Sequence, residues 1–467
     1  MSSLLIRDAE VEGTRCDVRT RHGLVVEIGD RLRPAGDDDV LDAAGGALLP
    51  GLTDHHIHLF ATAGDLASAA CSPSQARTPA QLAETLREAT PDYAGWVRGV
   101  RYHESVAGDL DSARLDALRD NVPVRIQHRS GALWMLNSRA AEAVGLETAD
   151  HPGIERDGEG HATGRLWRAD DWLRWRLPHS EPPSLAQVGH LLAGYGVTAV
   201  TDATPDLSPE TVSAIAEAMA SSDIPQRVQL LGMPLDTAPP PEHGPTAGPW
   251  KIVLADSGLP AFDELVDTIT AAHDNGRPVA VHTVTRESLI LLIAAFEQAG
   301  SLPGDRLEHA ALVPAELIPA IRRRGLRVVT QPGFIADRGD DYLRDVPRAD
   351  HGDLYRCASL SAARVPLALS SDAPYGPLDP WSVMRAATLR LTPAGETLSR
   401  AECLTAAESL HAYLSPAANP GGKGPGVRVG ASADLVLLHT PLSEALACLD
   451  AGLVRSTIMN GQPVTSS

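Results

Sequence analysis

The residues that could do chemistry begin with a pair of histidines. In TDHHIHL, His56 and His58 stand two apart. On a strand that spacing sends both side chains from one face and His55 from the other. A lone interior histidine is more often a hydrogen-bonded core residue. Two on one face, with Asp54 beside them, read as metal ligands, because neutral imidazole nitrogens are good zinc donors. Three further candidates end later strand-like runs: His282 in VAVHTV, His309 in LEHA and Asp372 in ALSSDAP. Any one alone could be a buried polar group satisfied by backbone. Their common position at strand ends points to one centre, since an unpaired carboxylate among apolar strands is costly and a cation stabilises it.

Lys251 stands out by its type. Of the 40 lysines and arginines only Lys251 and Lys423 are lysine, and Lys423 lies in the turn-like NPGGKGPG. Lys251 heads the apolar run WKIVLAD. Arginine keeps its proton in a protein, whereas a desolvated lysine can become a neutral amine and so a nucleophile. Such an amine can take up carbon dioxide to give a carbamate, an anionic oxygen ligand able to bridge two cations. The alternatives are a snorkelling surface lysine or an ion-pair partner.

The elements that must position these groups alternate strand-like and helical runs, the pattern of a parallel sheet covered by helices. Candidate strands are 51–58, 122–128, 196–202, 227–233, 250–256, 278–284, 306–312, 326–332 and 366–373. Nine is one too many for an eight-stranded barrel. The run at 122–128 is the one set aside, because its surroundings hold four tryptophans between 134 and 175 and few βα repeats. AFDELVDTITAAHDNG has apolar residues at helical spacing and a glycine stop, and supplies a crossover helix. TAPPPEHGPTAGP (237–249) reads as a Pro-rich connector. Both ends of the chain read as short strands around glycine turns, and neither end buries a β core alone. The expected fold is therefore α/β: a (β/α)8 TIM barrel over 50–424, a small β-sandwich domain from 1–49 plus 425–467, and a lid-like insertion after the first barrel strand over 60–190. Active sites in such barrels lie at the C-terminal ends of the strands, where the candidates fall.

Composition narrows the function. A net charge of -20 on 467 residues repels phosphate backbones and anionic membrane surfaces, which excludes nucleic acid as an expected partner. Five scattered cysteines without metal or disulfide spacing fit a reducing cytoplasm. No apolar run reaches a membrane span and the N-terminus has no signal-like core, so a cytoplasmic protein acting on a small molecule is expected. The Trp-rich insertion could form a homodimer contact.

The stretches LLPGLTDHHIHL, GVTAV, WKIVLAD, GRPVAVHTVTRESL, RLEHAAL, VVTQP, LALSSDAPYGPLDPWSVMRAAT and GVRVGASADLVLL occur in an order that resembles the amidohydrolase superfamily. More narrowly, they resemble the group called amidohydrolase family 3, which includes N-substituted formamide deformylases. The resemblance implies a metal-dependent hydrolase with two divalent ions, Zn2+ as the expected metal. It implies that His56 and His58 hold the more buried ion and that carboxylated Lys251, carrying carbon dioxide as carbamate, bridges the pair. It places His282 and His309 on the second ion and makes Asp372 both ligand and catalytic proton carrier. Where many members have Gly-His before an Asn-Ser pair, this chain has Gly131-Ala132, with His128 earlier. Where many show Thr-Gly followed by Glu, TGRLWRAD has Arg168. Both differences fall in the insertion and bear on the substrate.

The expected reaction is hydrolysis of an amide-like, non-peptide C–N bond through a binuclear metal-bridged hydroxide. No Gly-x-Ser-x-Gly elbow is present, which removes the usual serine hydrolases. A mononuclear zinc deaminase of an amino-heterocycle is the alternative, with Glu287, five residues after His282, as its base; a non-catalytic amidohydrolase-like scaffold is a third. The substrate-binding residues are unknown: Arg129, Trp134, Arg168 and Gln331 are candidate contacts by position only, each weighed against a favoured structural role, for the arginines lid salt bridges.

Overall fold

Continuous apolar runs become strands covered on both faces, the burial that parallel sheets require. Leu52–Ile57 and Val197–Asp202 are buried at every position. The computed structural model describes residues 3–36, 38–73, 75–178, 182–235, 244–254 and 258–464. They fall into two units, Met1–Leu59 with Leu185–Ser467, and Phe60–Ser184.

The first unit holds eight parallel strands: β1 (Leu52–Ile57), β2 (Val197–Asp202), β3 (Arg227–Leu230), β4 (Trp250–Val253), β5 (Val279–Thr283), β6 (Arg306–His309), β7 (Arg327–Thr330) and β8 (Leu367–Leu369). β1 to β3 pair in sequence, as do β4 to β8. Backbone hydrogen bonds join the two runs. Lys251 N donates to Leu231 O at 3.1 Å between β3 and β4. Asp372 N donates to His56 O at 2.8 Å, and His58 N to Ala373 O at 2.9 Å, between β8 and β1. The result is a (β/α)8 barrel.

The set-aside run at 122–128 forms Val124–His128, which pairs with Val97–Tyr102 and Leu133–Leu136 in the other unit and has no place in the barrel. The Pro-rich connector is not all loop. Thr246–Ala247 pairs parallel to β3, while 236–243 lie outside the described residues. So do 255–257, the end of the expected strand 250–256.

The helices cover the barrel with their apolar stripes. In α1 (Phe262–Asp274) the buried residues include Leu265, Ile269 and Ala272, spaced to one face, and Asp263 and Glu264 sit in the first turn, where the helix dipole favours them. In α2 (Arg286–Ala299) the Thr285 side chain caps the start by accepting from Ser288 N at 3.2 Å, and Gly300 ends the helix at φ 80. Both helices pack on Val279, Val281, Leu307 and Val328. Each such buried aliphatic contributes about 1.5–3 kcal/mol. Since Ile252 and Leu307 face this helix layer, their neighbours Lys251, Arg306 and Glu308 face the barrel interior.

Both chain ends build one β core. Ser3–Val11 pairs antiparallel with Thr14–Arg21 and parallel with Asp38–Asp42, while Leu48–Pro50 pairs antiparallel with Leu435–Leu438. Leu4, Ile6, Val18, Val25, Leu435, Leu437 and Ile458 form the shared interior of this β-sandwich.

The Phe60–Ser184 unit is a six-stranded sheet, running from Ile154–Arg156 through Ala162–Trp167, Leu133–Leu136, Val124–His128 and Val97–Tyr102 to Ala69–Ala70. Leu82, Leu86, Val97 and Ile126 fill one of its cores, and Trp96, Trp134, Leu136 and Leu166 another. Among the described residues no helix is long and apolar enough to cross a membrane, and all five cysteines are free thiols.

Candidate metal centre

β1 delivers His56 at its buried end, and the chain just beyond it delivers His58. The segment after β8 brings Asp372 beside them, fixed by the Asp372 N to His56 O bond. His56 Nε2 lies 3.4 Å, and His58 Nε2 3.3 Å, from Asp372 Oδ1. One ligand atom from each of the three lies within 4.8 Å of the others, and no other trio of His, Cys, Asp or Glu does so among the described residues.

The remaining ring nitrogens are occupied. His56 Nδ1 pairs with the Glu308 carboxylate, His58 Nδ1 with Thr204 Oγ1 at 3.1 Å, and His309 Nδ1 with Gln331 Oε1 at 3.0 Å. Gln331 is in turn oriented by donating to Ser370 Oγ at 3.0 Å. Metal-bound histidines are held in this way, one nitrogen anchored and the other presented. His309 also stands 3.7 Å from Asp372 Oδ2, and its ring centroid is 4.7 Å from that of His56 and 4.4 Å from that of His282.

Two backbone features mark the same places. His309 and Asp372 have φ of 65 and 52, the left-handed region that side chains with a Cβ avoid at a cost of about 1 kcal/mol or more. Strain of that kind persists where surrounding structure demands a particular side-chain direction.

The electrostatics follow from burial. Burial pushes His56 well below the ordinary imidazole range, lowers His309, and takes His282 down to about 3, with neighbouring cationic groups adding to the effect. These rings are neutral at pH 7 and offer lone pairs. Burial acts to raise Asp372, but His309, His56 and His58 outweigh it and hold the carboxyl below its usual range. Lys251 is 6% exposed, and burial lowers its amine, against the pull of Glu308 and Asp372. Among the described residues it makes no ion pair or hydrogen bond through its side chain. Asp54 is raised by burial to about 6 while accepting from His56 N and Ser371 N. Its work is to tie β1 to β8. His55 faces away, its Nε2 against Ser415 Oγ at 3.1 Å.

A divalent cation fits this donor set. His56 Nε2 and Asp372 Oδ1 are buried atoms with no hydrogen-bond partner, facing each other at 3.4 Å. Buried polar atoms are seldom left so. Neutral nitrogens and an anionic oxygen are the donors that zinc takes.

Five residues named from position alone have these surroundings. Trp134 is buried in the second unit, its Nε1 donating to Asp170 Oδ1 at 2.8 Å and its ring stacked by Arg98 and Arg125. Arg129 is half-buried and Arg168 exposed in that unit. Gln331 is buried and spent on His309, so it orients a ring. Glu287 is exposed on the first turn of α2. Glu308 and Thr204 were missed by reading the sequence. Glu308 adjoins His309 in RLEHA, the one signal that could have found it.

Residues 39–465 match the family described as the Amidohydrolase family. The chain belongs to that family. Among curated proteins this amidohydrolase is similar to the N-substituted formamide deformylase of Arthrobacter pascens, 27% identical over 86% of this chain and 85% of that one. Among solved structures it is similar to an uncharacterized metal-dependent hydrolase from Pyrococcus horikoshii OT3, with TM-score 0.77 and 18% identity over 99% of this chain and 100% of that one. A third is an adenosine deaminase from Xanthomonas campestris with bound zinc, TM-score 0.55 and 16% identity over 99% and 92%. Like its family, this amidohydrolase is a metal-dependent hydrolase acting on carbon–nitrogen bonds.

Proposed function

We propose that this amidohydrolase cleaves an amide-like, non-peptide C–N bond of a small molecule at a binuclear centre, with zinc as the metal. His56, His58 and Asp372 would hold one ion and His282 and His309 the second, with carboxylated Lys251 as a ligand to both. The observation that carries the reading is Lys251 itself. A lysine with a lowered amine pKa is buried inside a barrel otherwise served by arginine, with His56, His282 and His309 in its electrostatic reach. Its neutral amine can form an N–C bond to carbon dioxide and lose a proton, which converts an unpaired amine into an anion among neutral imidazoles.

Divalent cations bound there supply Lewis acidity, which polarises a carbonyl and brings the pKa of water to about 7. The chain does the rest. Asp372, whose carboxyl lies below its usual range, accepts the proton of the attacking water and returns it to the leaving nitrogen. Thr204, Gln331 and Glu308 keep the rings in place, so no reorganisation is spent during the reaction. Glu287, the base that the deaminase alternative names, is exposed on the first turn of α2, which favours the hydrolase reading.

Metal per chain in wild type and Lys251→Ala, with turnover on a panel of formamides, amides, cyclic imides and amino-heterocycles, tests this. Roughly two ions are expected, falling to one or none in the variant, with hydrolysis of an amide-like member. One tightly held ion indifferent to the substitution, together with ammonia release from an amino-heterocycle, would sink the proposal.

A further inference from the structure

We infer that the buried Arg306–Glu308 pair is a positioning device that fixes the proton of His56 on Nδ1 and thereby sets metal affinity at its Nε2. The inference rests on the reading of His56 as a metal ligand. Arg306 and Glu308 are both 0% exposed, two apart on β6 and pointing into the barrel. Arg306 Nε donates to Glu308 Oε1, and the other carboxylate oxygen, Oε2, meets His56 Nδ1. Arg306 Nη2 donates to His55 O at 3.2 Å. The pair therefore grips β1 at two successive residues from a strand that does not adjoin it.

Its energetics argue against a purely structural role. Two fully buried charges lose their hydration, and replacing such a pair with apolar residues is often neutral or stabilising. Here even the pairing is incomplete, since Arg306 Nη1 is buried with no partner. What the pair does achieve is directional. A carboxylate can only accept, so the ring must present N–H at Nδ1, which leaves the lone pair on Nε2, the nitrogen facing Asp372 Oδ1. Arg306 holds the Glu308 carboxylate in place through the bond from its Nε to Oε1, and its positive charge balances the carboxylate. Thr204 imposes no such choice on His58, because a hydroxyl can donate or accept.

The experiment uses the full-length apo chain, titrated with zinc against a chromophoric chelator, and 15N spectra of labelled histidine with His56→Asn as the assignment. Wild type is expected to show unprotonated Nε2 at His56 before any metal is added. Glu308→Gln is expected to show mixed tautomers and to weaken the first zinc equivalent by about 10–100-fold. Since Glu308→Gln strands Arg306 and risks misfolding, the double variant Arg306→Met/Glu308→Leu is the second arm. It is expected to fold with near wild-type thermal stability yet keep the mixed tautomer and the weakened zinc binding. A protonated Nε2 in the wild type overturns the inference, as does a double variant that binds zinc like wild type. If His56→Asn leaves zinc affinity unchanged, the metal-centre reading fails instead, and the tautomer spectrum still judges the pair on its own.

Discussion

In the barrel, His56 is fully buried and Asp372 nearly so, His58 is 16% exposed at its side chain, and the spare nitrogens of the two rings are taken by Glu308 and Thr204. In the Phe60–Ser184 unit a second group has the same composition. His103, Glu104 and His128 stand together, with ring centroids 5.9 Å apart and side chains 21%, 56% and 18% exposed. There each Nδ1 faces a serine hydroxyl, Ser105 or Ser130, at 2.8 Å. The Nε2 atoms lie 3.5 and 3.0 Å from the two different oxygens of Glu104. Every ring nitrogen is used and water reaches the carboxylate. The barrel trio instead leaves His56 Nε2 and Asp372 Oδ1 buried without a hydrogen-bond partner, with His58 Nε2 3.3 Å from the same oxygen. The contrast predicts metal where the lone pairs of two histidines and an acid converge, are mostly buried and are not spent on hydrogen bonds.

The largest effect expected from that contrast comes from Asp372. Asp372→Asn removes the anionic donor and the proton carrier, and should lower kcat/KM by about 10^2–10^4-fold with loss of bound metal. His128→Asn, the matching change in the other cluster, should leave both unchanged. Metal content and steady-state hydrolysis of a turned-over amide measure the pair. If His128→Asn strips metal as Asp372→Asn does, the distinction between the clusters is gone.

Chelation should separate the two units next. Removing metal withdraws the binding energy that stabilises the barrel alone, about 4 kcal/mol when free metal had stood at about 1,000 times its Kd. Hydrogen exchange followed by mass spectrometry should show lost protection in β1 and β6 while Val97–Tyr102 and Leu133–Leu136 keep theirs. Activity should return with zinc and bicarbonate. Equal loss of protection in both units would mean that metal is held elsewhere.

Much of this was legible because burial writes itself into sequence. Continuous apolar runs gave the parallel strands, and a histidine ending such a run must have a partner. The type of Lys251 was informative because the chain so rarely uses lysine. What was not legible depends on contacts across the barrel. Glu308 and His56 are 252 positions apart, and nothing local tells Glu308 from a surface acid. Gln331 follows a strand, but its place in the sequence does not show that its amide bonds His309 and Ser370. Nor does the sequence show that Trp134 meets Asp170 and two arginines. Position along a strand locates the site but does not reveal which neighbour takes each hydrogen bond.

The smallest expected effect lies in the exposed cluster and turns on pH. Glu104 is held below its ordinary range, first by its own backbone N–H and then by His128 and His103 against a little burial. A carboxyl lowered in the folded state adds stability above its unfolded pKa and loses it as pH falls through the folded value. Most of Glu104 is in water, so the pairs it makes are worth under about 1 kcal/mol. Glu104→Gln should therefore lower the denaturant midpoint of the Phe60–Ser184 unit slightly at pH 7, and the difference from wild type should vanish in acid once the carboxylate is protonated. Metal content should not move at either pH. A Glu104→Gln variant that lost metal would show that lone pairs shared with water can still bind, and the requirement for dryness drawn from the barrel would have to be abandoned.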